Sequence, residues 1–147
     1  MKRPIRLLVA DTNVNFVASL QKVLQTQTGI RIVSLARDGQ GAVDNCHSNL
    51  PDVVLMDLHL PVLDSVKAIR AIMAKNERTK ILVTSEQTND RYAVEAVKAG
   101  ACGFIEKNGD AGHTFIIKAI YQAANGEPLL NSSLANSILE EFHRLTD

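Results

Sequence analysis

The stretch that decides the fold of this chain runs from residue 51 to residue 61 and reads PDVVLMDLHLP. Residues 53–56 form a short, continuous apolar run, which is typical of a strand buried on both faces of a parallel sheet. Asp57 follows that run, where a carboxylate is costly to bury unless a cation or several hydrogen bonds stabilise it. Asp57 could therefore cap a turn, or it could be a reactive group at the carboxyl end of a central strand, where ligands bind in open α/β sheets.

Length and composition favour one globular domain with no large charged surface. The chain has 147 residues, 46% of them hydrophobic, and 16 basic residues balance 16 acidic ones. A neutral chain lacks the basic surface on which DNA binding depends, so this segment alone is not expected to bind DNA. Cys46 and Cys102 are too few for a disulfide framework, and no apolar run reaches membrane-spanning length. We therefore expect a cytoplasmic protein with reduced thiols and no membrane partner.

Apolar strands alternate with helical patterns along the chain, which predicts βαβ units and a parallel sheet. Gly29 is expected to end the first helix and Asp90 to cap the fourth. A last helix is predicted from Asn131 to Leu145. The expected fold class is α/β, with a doubly wound sheet whose five strands cover residues 5–10, 30–36, 53–56, 81–84 and 103–105.

Four polar side chains stand at the ends of these predicted strands, namely Asp11, Asp57, Ser85 and Lys107. Singly, each has an ordinary explanation as a helix cap, a turn residue or a solvated surface charge. In a doubly wound sheet, however, the strand ends lie on one edge, so the four side chains would converge. Two carboxylates can bind Mg2+, an aspartate can attack a phosphoryl group, and a hydroxyl and an ammonium can bind its oxygens.

The chain resembles the receiver (CheY-like) domain of two-component response regulators, in particular the NarL/FixJ branch. The matching stretches are LLVAD at 7–11, PDVVLMD at 51–57 followed by Pro61, ILVTS at 81–85 and AGACGFIEK at 99–107. The resemblance implies the strand order 2-1-3-4-5 with helices on both faces. It also implies a receiver domain at residues 1–127 and a C-terminal linker helix at residues 128–147, with the output domain absent.

The resemblance further implies a role for each residue at the strand ends. Asp57 would accept a phosphoryl group from a histidine kinase or another phosphodonor. Asp11, Asp57 and the backbone carbonyl of His59 would bind Mg2+. Ser85 and Lys107 would bind the phosphoryl oxygens, and Ser85 would shift toward the phosphoryl group on activation.

Other implied roles concern switching and output. Phe104 occupies the position of the family's switch aromatic; it can also be explained as a core ring, and the two interpretations are not exclusive. His59 and Gln87 occupy positions that tune phosphate lifetime in the family, and an exposed loop residue without a role is an equal alternative for His59. The implied output is homodimerisation or transcription regulation, with DNA bound only through an absent helix-turn-helix domain.

The sequence departs from the family pattern at three positions. Thr12 replaces the second acid that usually follows the first strand, which should weaken Mg2+ binding by roughly tenfold to a hundredfold. Glu86 stands where the family prefers a small residue, and Ser65 where it prefers glycine. Two hypotheses remain open: Asp57 is still phosphorylated, with Thr12 or Glu86 assisting the metal site, or the domain is a degenerate pseudo-receiver that acts as a phosphorylation-independent interaction module.

Proteins of other classes fit the sequence less well. A flavodoxin-like redox carrier would need a phosphate-binding loop rich in Ser, Thr and Gly after the first strand and aromatic rings for its flavin, but aromatic residues make up only 4% of the chain. A hydrolase would need a Gly-x-Ser-x-Gly elbow, and nucleotide binding a glycine-rich loop; the sequence has neither. We therefore do not expect an enzyme with a diffusible substrate.

Overall fold

A computed structural model describes residues 3–87, 91–107 and 112–127. Strands and helices alternate throughout these residues, as the sequence predicts. The elements are β1 (Ile5–Ala10), α1 (Val14–Leu24), β2 (Ile30–Ala36), α2 (Gly39–Asn49), β3 (Val53–Asp57), α3 (Ser65–Lys75), β4 (Lys80–Ser85), α4 (Tyr92–Ala99), β5 (Gly103–Glu106) and α5 (Gly112–Ala124). No described helix combines the length and the hydropathy needed to cross a membrane.

The five strands form one parallel sheet in the order β2-β1-β3-β4-β5, which confirms the predicted fold class. β3 lies at the centre, where Leu55 is aligned with Val9 of β1 and Leu82 of β4. Every residue from Val53 to Met56 is buried. The continuous apolar run of β3 therefore reflects helices on both faces of the sheet.

Alternate residues of β3 belong to two separate hydrophobic cores. Val54 and Met56 join the cluster that contains residues of α2, α3 and α4. Val53 and Leu55 join the cluster that contains residues of α1 and α5. Because successive strand side chains point to opposite faces, one short strand anchors both layers of helices.

Side-chain caps fix the start of three helices that follow strands β1, β2 and β3. The Asn13 side chain accepts a hydrogen bond from the Phe16 N–H, Asp38 accepts from the Gly41 N–H, and Asp64 accepts from two N–H groups of α3. The helix N-termini consequently lie at the same edge of the sheet as the carboxyl ends of the strands. Their partial positive charge favours anions there.

One predicted helix boundary is wrong, and others lie outside the described residues. α1 ends at Leu24 with Gln25 as its C-cap, rather than at Gly29. Gly29 instead lies close to α5: a Cβ there would lie 2.2 Å from the Tyr121 hydroxyl oxygen, so a larger residue would displace that side chain. The predicted cap Asp90 and the predicted helix at residues 131–145 lie outside the described residues.

The N-terminus of α2 packs tightly against the loop that follows β3, and this contact gives a test of the fold. The Gly39 N–H donates to the Pro61 carbonyl at 3.1 Å, and a Cβ on Gly39 would lie 1.9 Å from the Leu63 carbonyl oxygen. We expect Gly39→Ala to lower the free energy of unfolding by about 1–3 kcal/mol, because backbone must move to admit the methyl group. Urea denaturation measures this. The exposed neighbouring variant Gln40→Ala should change stability by less than about 0.5 kcal/mol, and equal stability of the two variants would contradict the packing.

Candidate functional site

Three of the four predicted strand-end residues are in direct contact at the carboxyl edge of the sheet. The Lys107 Nζ lies 2.6 Å from Asp11 Oδ2 and 2.5 Å from Asp57 Oδ2. The side chains of Lys107 and Asp11 are 4% and 2% exposed, and that of Asp57 is 14% exposed. One buried ammonium therefore bridges two carboxylates that come from neighbouring strands.

Backbone N–H groups hold the other oxygen of each carboxylate. Asp11 Oδ1 accepts from the Asn13 N–H at 2.8 Å, and Asp57 Oδ1 accepts from the His59 N–H at 2.6 Å. Each aspartate thus bonds to the backbone two residues further along, a turn that short carboxylate side chains favour. The orientation of both carboxylates is fixed on one side by their own loop and on the other by Lys107.

Ser85 occupies the neighbouring strand end. It is the last residue of β4, is buried, and its Oγ accepts from the Gln87 N–H at 3.0 Å. The Lys107 N–H donates to the Ser85 carbonyl at 2.8 Å, and the Leu58 N–H donates to the Thr84 carbonyl at 2.8 Å. These backbone bonds link the residue after β3 and the residue after β5 to the end of β4, which places Ser85 at the same edge as the ion-paired cluster.

The charges of the cluster do not cancel. Burial raises the pKa of the Asp11 carboxyl, even though Lys107 and the Asn13 N–H act in the opposite direction. Burial alone would lower the pKa of the Lys107 ammonium, but its hydrogen bonds to Asp11 and Asp57 outweigh burial and raise that pKa. Lys107 is therefore a permanent cation at neutral pH. With both aspartates ionised, two negative charges and one positive charge leave the cluster at −1, which can attract a cation.

The remaining predicted site residues are distributed around this cluster. Thr12 and Glu86 are exposed, and the described residues contain no group of three or more His, Cys, Asp or Glu side chains able to hold a metal ion. Assistance from Glu86 at a metal site thus stays a prediction. Phe104 is buried and belongs to the core cluster that also contains Ala93 and Ala96 of α4.

Sequence reasoning missed two contacts of the site. The Ser65 hydroxyl donates to the Asp57 carbonyl at 2.9 Å and accepts from the Leu60 N–H at 3.1 Å, so this departure from the family pattern shapes the loop after β3. Phe16 lies with its ring under the Lys107 ammonium, 4.8 Å from Nζ to the ring centroid. Its position in the first turn of α1, just after a strand end, is the signal that could have placed it at the site.

Comparison with known proteins identifies the family. The sequence profile described as the response regulator receiver domain matches residues 7–119. The chain belongs to the response regulator receiver family. Curated relatives include the transcriptional regulatory protein DegU of Brevibacillus brevis, 27% identical over 97% of this chain, and a probable transcriptional regulatory protein NarL of Mycobacterium tuberculosis, 27% identical over 95% of it. The chain spans 60% of that DegU and 64% of that NarL.

Solved structures agree with this assignment. A LuxR-family two-component response regulator from Aurantimonas sp. SI85-9A1 matches with a TM-score of 0.82 and 25% identity, over 94% of this chain and 97% of that one. The receiver domain of the putative regulator NarL from Mycobacterium tuberculosis matches with a TM-score of 0.79 and 27% identity, over 86% of this chain and 100% of that one. The domain is thus a receiver similar to those of the NarL/FixJ branch. Receiver domains of this family generally bind Mg2+.

The shared ammonium gives a stability prediction. Lys107→Met leaves two close, largely buried carboxylates without their cation, so we expect a loss of about 3 kcal/mol in the free energy of unfolding at neutral pH. Burial already raises the pKa of Asp11, and losing Lys107 raises it further. The loss of stability in Lys107→Met is therefore largest at a pH where both carboxylates are ionised. It shrinks as the pH falls through the raised pKa of Asp11 in the folded variant, because protonation removes the buried charge.

Denaturation with urea at several pH values measures this penalty. Lys118→Met on the exposed face of α5 is the matched control and should change stability by less than about 0.5 kcal/mol. If the two variants are equally stable at neutral pH, the ion-paired cluster does not contribute to folding as described.

Proposed function

We propose that Asp57 is the phosphoacceptor of this receiver, charged by a histidine kinase or another phosphodonor. The observation that carries the proposal is the Lys107 ammonium held between Asp11 and Asp57 at the carboxyl edge of the sheet. That arrangement joins a nucleophilic carboxylate, a second carboxylate and a fixed cation. These are the groups that phosphoryl transfer needs for attack, metal binding and charge stabilisation.

The proposed step is an in-line displacement at phosphorus. An oxygen of Asp57 attacks the phosphoryl group, the bond from phosphorus to the donor nitrogen or oxygen breaks, and the donor keeps the electron pair. The product is an acyl phosphate on Asp57. Before the reaction, the two carboxylate oxygens of Asp57 accept hydrogen bonds from the His59 N–H and the Lys107 ammonium, and each oxygen keeps a lone pair that can attack phosphorus. Lys107, together with Ser85 at the next strand end, would then bind phosphoryl oxygens.

The metal site of this proposal comprises Asp11, Asp57 and the backbone carbonyl of His59, with Thr12 as a neutral donor. Both carboxylates fit a hard cation, since they already share one positive charge. A bound Mg2+ would supply further positive charge to the phosphoryl oxygens. Because only two acids are close together, the proposed affinity is weak.

The proposed output is a population shift that changes dimerisation or releases an output domain. Ser85 and the buried Phe104 would take one of two arrangements according to the state of Asp57. Curated relatives are transcriptional regulators and are longer than this chain, so DNA binding is proposed only through a domain outside it. We place the receiver at residues 1–127, in the cytoplasm, and the linker at residues 128–147. One relative, a protein-glutamate methylesterase of Thermotoga maritima, is an enzyme, and no such activity is proposed here.

A second candidate is a pseudo-receiver that binds partners without being phosphorylated. One observation favours it: Thr12 stands where a second acid would add negative charge beside Asp11, and it supplies none. In such a protein the bridging ammonium would lock the site in one state. This alternative predicts the same fold and stability but no acyl phosphate.

Phosphorylation measured by intact mass separates the two candidates. We expect acetyl phosphate with Mg2+ to add one phosphoryl group to the wild-type protein. Asp57→Asn should stay unmodified under the same conditions, and so should the wild-type protein without Mg2+. Asp44→Asn, on the exposed face of α2, should be phosphorylated like the wild type. A wild-type protein that stays unmodified with both acetyl phosphate and a phosphorylated kinase would exclude the first candidate.

Metal affinity tests the consequence of Thr12. We expect Thr12→Asp to tighten Mg2+ binding by about tenfold or more, because a third carboxylate restores negative charge beside Asp11 and Asp57. Isothermal titration of Mg2+ measures the change.

Glu86→Ala should weaken Mg2+ binding if Glu86 assists the cation, and an unchanged affinity would remove Glu86 from the site.

A further inference from the structure

The aromatic ring of Phe16 is the third neighbour of the Lys107 ammonium. Nζ lies over the ring, 4.8 Å from its centroid, while its two hydrogen bonds go to Asp11 and Asp57. The face of an aromatic ring carries negative charge density and attracts a cation, most strongly where water is excluded. The Lys107 side chain is 4% exposed, so the contact with Phe16 lies in such a place.

Helix α5 fixes the ring from another direction. The rings of Phe16 and His113 meet edge to face, with centroids 5.8 Å apart and planes at 64°. His113 Nε2 lies 2.6 Å from Ser19 Oγ, one turn after Phe16 on α1. The backbone of α1 is anchored too, because the Phe16 N–H donates to the Asn13 cap. Phe16 is thus held by α1 and α5 while its ring contacts the site.

We propose that Phe16 is a positioning residue for Lys107, which keeps the ammonium at the strand ends when a carboxylate contact is lost. The proposal rests on the proposed function, in which phosphorylation of Asp57 changes that contact. An ammonium has three N–H donors, and two of them bind Asp11 and Asp57. A ring face attracts the whole cation rather than one N–H in a fixed direction. Lys107 can therefore turn toward a phosphoryl oxygen without leaving the edge of the sheet.

A purely structural role for Phe16 is the alternative, because its ring also packs partly against the core formed with α1 and α5. Fluorination separates the two roles. Adding fluorine atoms to the ring withdraws negative charge from its face but changes its size little. If Phe16 only fills space, adding fluorine atoms should leave Lys107 unchanged. If its ring attracts the ammonium, each added fluorine atom should weaken the hold on Lys107.

The experiment introduces phenylalanine with zero to three ring fluorines at position 16 of the full chain and follows Lys107 by 15N NMR. We expect the order parameter of the Lys107 ammonium to fall and its proton exchange with water to accelerate at each step. The rate of Asp57 phosphorylation by acetyl phosphate should fall about threefold to tenfold across the series, the range set by a partly buried cation–π contact. The same substitutions at Phe115, 47% exposed on α5, should change neither measurement.

The proposal would be overturned if the order parameter of the Lys107 ammonium and its proton exchange with water stayed the same across the Phe16 series. The NMR measurements are also made in Asp57→Asn, where the Lys107–Asp57 ion pair is lost without phosphorylation. They therefore decide the role of Phe16 even if Asp57 accepts no phosphoryl group, an outcome that would instead count against the proposed function. Phe16→Leu gives the end point, with the ring absent and an apolar side chain retained. We expect its Lys107 to be at least as mobile as in the most fluorinated protein.

Discussion

The ammonium of Lys107, shared between Asp11 and Asp57, is the interaction on which the site depends. Two carboxylates at neighbouring strand ends repel each other, and burial adds to the cost of ionising them. A single cation 2.6 Å from one and 2.5 Å from the other offsets both effects. With both aspartates ionised the cluster carries a net charge of −1, which in the proposed function attracts a metal ion and lets Lys107 exchange one carboxylate contact for a phosphoryl oxygen.

The parallel sheet makes this interaction possible. Residues 11, 57 and 107 are far apart in the sequence, but β1, β3 and β5 all run in the same direction and end at one edge. β4 lies between β3 and β5. Backbone hydrogen bonds from Leu58 to Thr84 and from Lys107 to Ser85 connect the ends of β3 and β5 to the end of β4. The central strand β3, which helices cover on both faces, ends at Asp57 and so positions this residue at the edge of the sheet.

Much of this arrangement could be predicted from the sequence because its signals are local or topological. The apolar run of β3 predicted a central strand, and the parallel order then predicted that Asp11, Asp57 and Lys107 would meet. The end of α1 was mistaken because Gly29 lies beyond the helix and close to the Tyr121 side chain, a contact between distant residues that no local pattern reveals. The contact of Phe16 with Lys107 also depends on tertiary packing, although its place in the first turn of α1 was a usable signal. The contact of Ser65 with Asp57 depends on the shape of the loop after β3.

The proposed function requires this cluster to be a working phosphoryl site, in which Lys107 exchanges a carboxylate partner for a phosphoryl oxygen. A crystal structure of the protein with beryllium fluoride and Mg2+ tests it most directly, because beryllium fluoride forms a phosphoryl-like adduct on an aspartate. We expect the adduct on Asp57, with the Lys107 ammonium and the Ser85 hydroxyl bound to its fluorine atoms and Asp11 beside the metal. A structure without an adduct, in which Lys107 still bridges Asp11 and Asp57 at saturating ligand, would contradict it.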